Sequence, residues 1–119
     1  MENFTLVRPE HLNHHGYLFG GVMLKWVDEN TWMAATRDFP GSTLVTIAMN
    51  DIRFTQRVHN GSTLRFKSEQ YKLGRTSVTY SVHVFAVEPE AAEEYDVFNT
   101  QITFVRLNEQ GRPCPLQKP

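Results

Sequence analysis

Two periodicities divide the chain. From Gly20 to about Arg37 the apolar residues fall at helical spacing, and Asp38-Phe39-Pro40-Gly41 supplies the stop, because the residue before a proline is pushed out of the helical region. Val22, Met23, Leu24, Trp26, Val27, Trp32, Met33, Ala34 and Ala35 leave this helix little polar surface, so most of its circumference is expected to be buried. Elsewhere the period is two. Leu64 and Phe66 alternate with Arg65 and Lys67, and Val78, Tyr80, Val82 and Val84 alternate with Thr79, Ser81 and His83. In the segment Tyr95 to Leu107, Phe98, Ile102 and Phe104 share one side, and Thr43 to Met49, continuing through Ile52-Arg53-Phe54, is rich in β-branched residues. A first strand spans Glu2 to Arg8 with Pro9 as its stop; Asn60-Gly61, Gly74 and Asn108-Glu109-Gln110-Gly111 are turn signals. The acidic stretch Glu88 to Glu94 reads as a solvated hairpin connection. The order is strand, helix, four strands, and the short connections favour an antiparallel α+β fold with the helix against the sheet.

Composition changes the picture mainly by exclusion. A length of 119 residues fits one domain spanning 1–119. A formal net charge of −1 argues against a nucleic-acid-binding surface, which is strongly basic. No apolar run approaches membrane-spanning length, and Met1-Glu2-Asn3-Phe4-Thr5 does not open a secretory signal. The single cysteine, Cys114, has no partner for an internal disulfide, which fits a reducing, cytoplasmic setting.

Chemistry concentrates between Asn13 and Glu29. A helix entered through Gly20-Gly21 presents unpaired N–H groups and a positive dipole end, suited to an anion or a developing oxyanion; close packing on a strand is the other reading of the two glycines. Asp28 follows two turns later, in position to meet the same substrate. It shares its stripe with Gly21, Leu24, Trp32 and Ala35, so a buried carboxylate is expected there, whereas Glu29 is expected to pair weakly with Lys25 at the surface. A buried acid without a cation is unfavourable unless it is used in chemistry or in a hydrogen-bond network. Gly16 fits a turn, and Asn13 can be a turn former or a functional amide. His11, His14 and His15 lack the spacing of a helical zinc pair, so no metal is expected.

These residues carry a resemblance. The run Asn13-His14-His15-Gly16-Tyr17-Leu18-Phe19-Gly20-Gly21 with Asp28 seven residues on, Gly74-Arg75-Thr76-Ser77, and Thr103 to Pro113 together resemble the hot dog fold acyl-CoA thioesterases, specifically their cytosolic acyl-CoA hydrolase branch. The resemblance implies an antiparallel sheet wrapped around one long central helix. It also implies hydrolysis of acyl-CoA to free acid and coenzyme A, with no cofactor beyond the coenzyme A of the substrate itself. Asp28 takes the position of the acid that activates water or attacks the carbonyl, Asn13 that of the amide placing the water or thioester, and Gly20 and Gly21 that of the oxyanion hole. Gly74, Arg75, Thr76 and Ser77 match the coenzyme A segment, with Lys72, Arg53, Arg57 and His59 as weaker candidates. Family sites form between two subunits, which implies a homodimer at minimum and an assembly up to a hexamer, with Asn13 and Asp28 acting from opposite chains. Gln56-Arg57-Val58 departs from a pattern that often has proline before the valine. Trp26 and Trp32 are large for this helix and are expected to shorten the acyl tunnel. Two alternatives stay open: a hydratase or dehydratase pairing His14 or His15 with Asp28, and a non-catalytic acyl-CoA binding protein.

Overall fold

The computed structural model describes residues 1–116. Strand β1 (Glu2–Leu6) is followed by a short 3-10 turn (Pro9–His11), helix α1 (Gly20–Asp38), and strands β2 (Thr43–Phe54), β3 (Thr63–Leu73), β4 (Ser77–Val87) and β5 (Tyr95–Leu107). The strands form one five-stranded antiparallel sheet in the order β1-β3-β4-β5-β2, so β1 and β2 are its edges. The predicted order of elements therefore holds. β1 ends two residues earlier than the pattern implies because Pro9, with no N–H to give a ladder, opens the 3-10 turn instead.

Alternation decides which face of the sheet is covered. Leu64, Phe66, Val78, Tyr80, Val82, Val84, Phe98, Ile102 and Phe104 all turn inward and are at most 2% exposed. Against them α1 places Met23, Val27, Ala34 and Ala35, with Thr31 between, its hydroxyl satisfied by the Val27 carbonyl at 2.7 Å. The expectation that most of the helix circumference is buried is corrected. One sheet covers one side of a helix some 10 Å across, so within the chain Trp32 and Met33 remain 44% and 43% exposed. The expected Lys25–Glu29 pair is also absent among the described residues: lysine N-terminal to glutamate is the weaker orientation, and both side chains are solvated.

Two polar contacts brace the periphery. Tyr80 donates to Asp38 Oδ2 at 2.6 Å, and burial together with that carboxylate pushes its hydroxyl pKa up. Arg65 clasps Glu94 through two hydrogen bonds at 3.1 and 2.6 Å and also bonds Glu2, tying the acidic connection and β1 to β3; the guanidinium holds the Glu94 carboxyl below the usual range. Gly61, at φ +85°, makes the turn expected of Asn60-Gly61.

Candidate active site

The loop before α1 is built around Asn13. Its Oδ1 accepts from the backbone N–H of His15 at 2.9 Å and of Tyr17 at 3.2 Å, while Gly16, at φ +85°, turns the chain and donates to the Asn13 carbonyl. Asn13 is thus a turn former, and its Nδ2 donates to nothing among the described residues. The loop is pinned by Leu18 N–H to Val58 O and Phe19 N–H to His11 O, both at 2.9 Å, which delivers Gly20 to the mouth of a cleft of about 760 Å³. Asn13, His15, Tyr17, Gly20, Met23, Phe54 and Arg57 are among its lining residues.

Among the described residues no side chain caps α1, and the first helical bonds are Val22 and Met23 N–H to Phe19 O. The N–H groups of Gly20 and Gly21 therefore keep open valences beside Asn13. A side chain at Gly20 would meet only the rim of the Phe54 ring, at 3.4 Å, so no strand backbone presses on the helix there and close packing does not explain this glycine.

Asp28 is half-buried rather than buried, and it lies elsewhere. Thr46 Oγ1 donates to its Oδ1 at 2.6 Å, and the pair opens into a second cleft with Glu29, Trp32 and Met33. From Gly20 to Asp28 is eight residues of helix, about 12 Å at 1.5 Å per residue. One carbonyl and its attacking water span about 3 Å, so Asp28 cannot act on a carbonyl held at Gly20 of the same chain. That corrects the expectation drawn from helix spacing alone. Thr46 carries no signal in the sequence: it is one threonine in a β-branched strand, and only the pairing of β2 beside α1 brings it to the acid.

The Gly74–Ser77 turn joins β3 to β4 at the far end of the sheet from Gly20. In register, Ser77 pairs with Val105 and Val84 with Phe98, which in turn faces Phe54 beside Gly20. Seven residues of strand, roughly 23 Å at 3.3 Å each, separate the turn from the Asn13 cleft. Thr46, Phe104 and Val78 form one cross-strand row, so the turn and Asp28 share one end of the sheet.

Of the weaker candidates, Arg57 lies over the Tyr17 ring at 4.9 Å, and His59 contacts Glu88 at 3.1 Å in a shallow groove next to the Asn13 cleft. Arg53 and Lys72 are exposed strand residues. Trp26 stacks edge-on against His11 at 4.6 Å and lines neither cleft, while Trp32 stands beside Asp28, its Nε1 donating to Leu44 O at 3.0 Å. Among the described residues no cluster of three His, Cys, Asp or Glu side chains forms a metal site, and no helix is long and apolar enough to cross a membrane.

Comparison with known proteins decides the family. The profile described as Thioesterase superfamily matches residues 15–93. The chain belongs to the thioesterase superfamily. Among sequence relatives, this thioesterase-superfamily chain is 30% identical over 107 residues to acyl-coenzyme A thioesterase 11 of Mus musculus, covering 90% of this chain and 18% of the mouse protein. It is 29% identical over 112 residues to an uncharacterized acyl-CoA thioester hydrolase of Haemophilus influenzae, covering 91% and 71%. The chain thus spans less than a fifth of the mouse relative's length. Among solved structures, a hexameric hotdog fold thioesterase of Campylobacter jejuni superposes with a TM-score of 0.82 at 26% identity, covering 97% of this chain and 88% of that one. The five-stranded sheet with one helix is therefore a hot dog fold.

Proposed function

We propose that residues 1–119 form one acyl-CoA thioesterase domain that hydrolyses acyl-CoA to a carboxylic acid and coenzyme A, in a site completed by two copies of the chain. The observation that carries this reading is the split between the clefts. One holds the open donors of Asn13 and Gly20, with Gly21 next along the helix, the other an acid already bonded to a hydroxyl, and about 12 Å of helix keeps them apart within a chain. A second copy supplies what each half lacks.

The surface supports the same reading. β2 is an edge strand whose Val45, Ile47, Ile52 and Phe54 are exposed, and Phe19, Trp32 and Met33 extend that apolar surface along α1. An open edge beside an uncovered apolar helix flank is an association surface. The Campylobacter jejuni protein is hexameric, and we extend its assembly to this chain. We place the enzyme in the cytoplasm on the strength of its lone cysteine.

In this site the thioester carbonyl oxygen takes the N–H groups of Gly20 and Gly21 as charge develops on it; one such donor contributes about 3 to 4 kcal/mol to the transition state. The Asn13 amide, its oxygen committed to the turn, offers Nδ2–H to the carbonyl or the water. Asp28 from the partner accepts the proton of the attacking water or attacks the carbonyl itself, and general base action of this kind gives about 10²–10⁴ in rate. Thr46 fixes the carboxylate's rotamer and leaves Oδ2 for the water. The Gly74–Ser77 turn, with Arg75, holds the phosphates of coenzyme A.

The test is thiol release from acyl-CoAs of increasing chain length, comparing wild type with Asp28→Asn in a Cys114→Ser background. Turnover that collapses in Asp28→Asn while coenzyme A still binds supports the reading, and the length profile names the substrate class. Coenzyme A binding without turnover on any thioester refutes hydrolysis and favours a binding protein. Reversible hydration of an enoyl-CoA by the same protein favours the hydratase.

A further inference from the structure

The turn Gly74-Arg75-Thr76-Ser77 is not a free hairpin end. Beyond β5 the chain reverses at Asn108, whose Oδ1 accepts the N–H of Gln110 and of Arg112 at 2.9 and 3.0 Å, and the segment Cys114–Leu116 returns alongside the turn. Leu116 N–H donates to Arg75 O, and Arg106 N–H donates to Thr76 O, each at 2.9 Å. Arg106 also ties the segment to the sheet: its carbonyl accepts Cys114 N–H at 2.9 Å, and its Nη1 donates to Pro115 O at 2.9 Å. The Leu116 side chain packs against the core and anchors the segment. Inside the turn, Gly74 N–H donates to Ser77 O at 2.8 Å.

The polarity of the turn follows from these bonds. The carbonyls of Arg75, Thr76 and Ser77 are all occupied from within the chain, while the N–H groups of Arg75 and Thr76 donate to nothing among the described residues. Arg75 itself is exposed and forms no ion pair among them. A turn with its acceptors filled and its donors open presents partial positive charge, the arrangement that binds anions at backbone concavities. Released from the segment, the same turn would offer carbonyls as well as N–H groups, and its preference for an anion would fall.

We propose that Cys114–Leu116, clasped through Arg106, is a strap that keeps the 74–77 turn in its donor-out state and thereby sets affinity for the phosphates of coenzyme A. The inference rests on the assignment of that turn to coenzyme A in the proposed function. Arg106 and Leu116 are positioning residues acting through the turn, away from the thioester carbon. Their loss weakens ground state and transition state alike, which raises KM and leaves kcat in place.

The experiment is steady-state hydrolysis of one acyl-CoA and of the matching acyl-pantetheine, which lacks the nucleotide, by wild type, Leu116→Pro, Arg106→Met and Arg75→Ala. Leu116→Pro removes the N–H that holds Arg75 O; Arg106→Met removes the guanidinium from Pro115 O at the surface and serves if the proline variant does not fold. Both strap variants are expected to raise KM for acyl-CoA about threefold to tenfold, the worth of one hydrogen bond, without changing kcat or either constant for acyl-pantetheine. Arg75→Ala gives the scale of the effect when the cation itself is removed. If Arg75→Ala raises KM for acyl-CoA selectively and neither strap variant does, the strap is overturned while the coenzyme A assignment stands. If Arg75→Ala does not separate the two substrates, the turn does not hold coenzyme A, and the strap falls with that assignment. Equal losses on both substrates in the strap variants mean general damage to the fold and also overturn the proposal.

Discussion

Replacing Thr46 with valine isolates one bond. The Thr46 hydroxyl donates to Asp28 Oδ1 at 2.6 Å, a short contact of the charge-assisted kind. Valine keeps the shape and the β-branching that suit an edge strand, so β2 should pair with β5 as before. Hydrogen bonds to charged groups contribute about 1.5–3 kcal/mol. Thr46 is exposed and Asp28 half-buried within one chain, which places this bond toward the lower end of that range. About 1.5–2 kcal/mol, lost only when the carboxylate must be aimed at the reacting centre, corresponds to roughly a tenfold to thirtyfold fall in kcat. KM should stay near wild type, because neither cleft loses a wall. The assay is thiol release under saturating acyl-CoA, with thermal unfolding in parallel and Thr46→Ser as the variant that restores the hydroxyl. A wild-type kcat in Thr46→Val, or a serine variant as slow as the valine one, refutes a role for this hydroxyl in orienting the acid. A fall in Tm with kcat per folded enzyme intact would show that Thr46 only tethers α1 to β2.

Three further outcomes follow from the packing. Gly61 sits at φ +85°, and a Cβ there would lie 2.8 Å from Pro89 Cγ, so Gly61→Ala combines left-handed strain with a clash; chemical denaturation should show a loss of about 1–3 kcal/mol. The Ser62 hydroxyl is fully buried with no hydrogen-bond partner among the described residues, and Ser62→Ala should therefore raise stability by about 1 kcal/mol in the same assay, with a clear loss contradicting the assignment. Tyr80 is held neutral by burial and by Asp38, so its folded pKa lies above the ordinary value of 10.0. The folded state then holds the proton more tightly than the unfolded one, and this contribution to stability is complete below pH 10 and declines as the pH rises through the folded pKa. Denaturation midpoints measured from neutral pH upward should fall in wild type and fall less in Tyr80→Phe.

Much of the fold is legible in the chain because local signals and global architecture agree. Tyr80 and Phe104 alternate inward on strands that the pattern already delimits, and Pro40 stops α1 where a proline must. The 3-10 turn at Pro9–His11 has no period to reveal it, and the bulges in β2, with Asp51 at φ 52°, shift register without changing composition. Helix periodicity places Trp32 on an apolar stripe but does not say whether this sheet or another copy covers it. The same ambiguity misplaces Asp28, since a stripe that looks like core is half-open within one chain. Asn13, Gly20 and Asp28 stand out as residue types; that Asn13 and Asp28 occupy separate clefts follows only from the length of α1 and the placement of β2. The strap at Cys114–Leu116 is invisible in sequence because the bonds that join it to the sheet and the turn end on backbone groups, Cys114 N–H to Arg106 O, Leu116 N–H to Arg75 O and Arg106 Nη1 to Pro115 O, which no residue type marks.

The sharing of one site between two copies is tested most directly by mixing two inactive proteins. Asn13→Ala and Asp28→Asn, each without activity alone, are unfolded together and refolded at equal concentration, and thiol release is measured on the product. If Asn13 of one copy works with Asp28 of the other, half the dimers are mixed and each carries one intact site, so turnover should recover to about a quarter of wild type. If both residues serve a site within one chain, every site in the mixture lacks one of them. In that case no activity returns, and the shared site is contradicted.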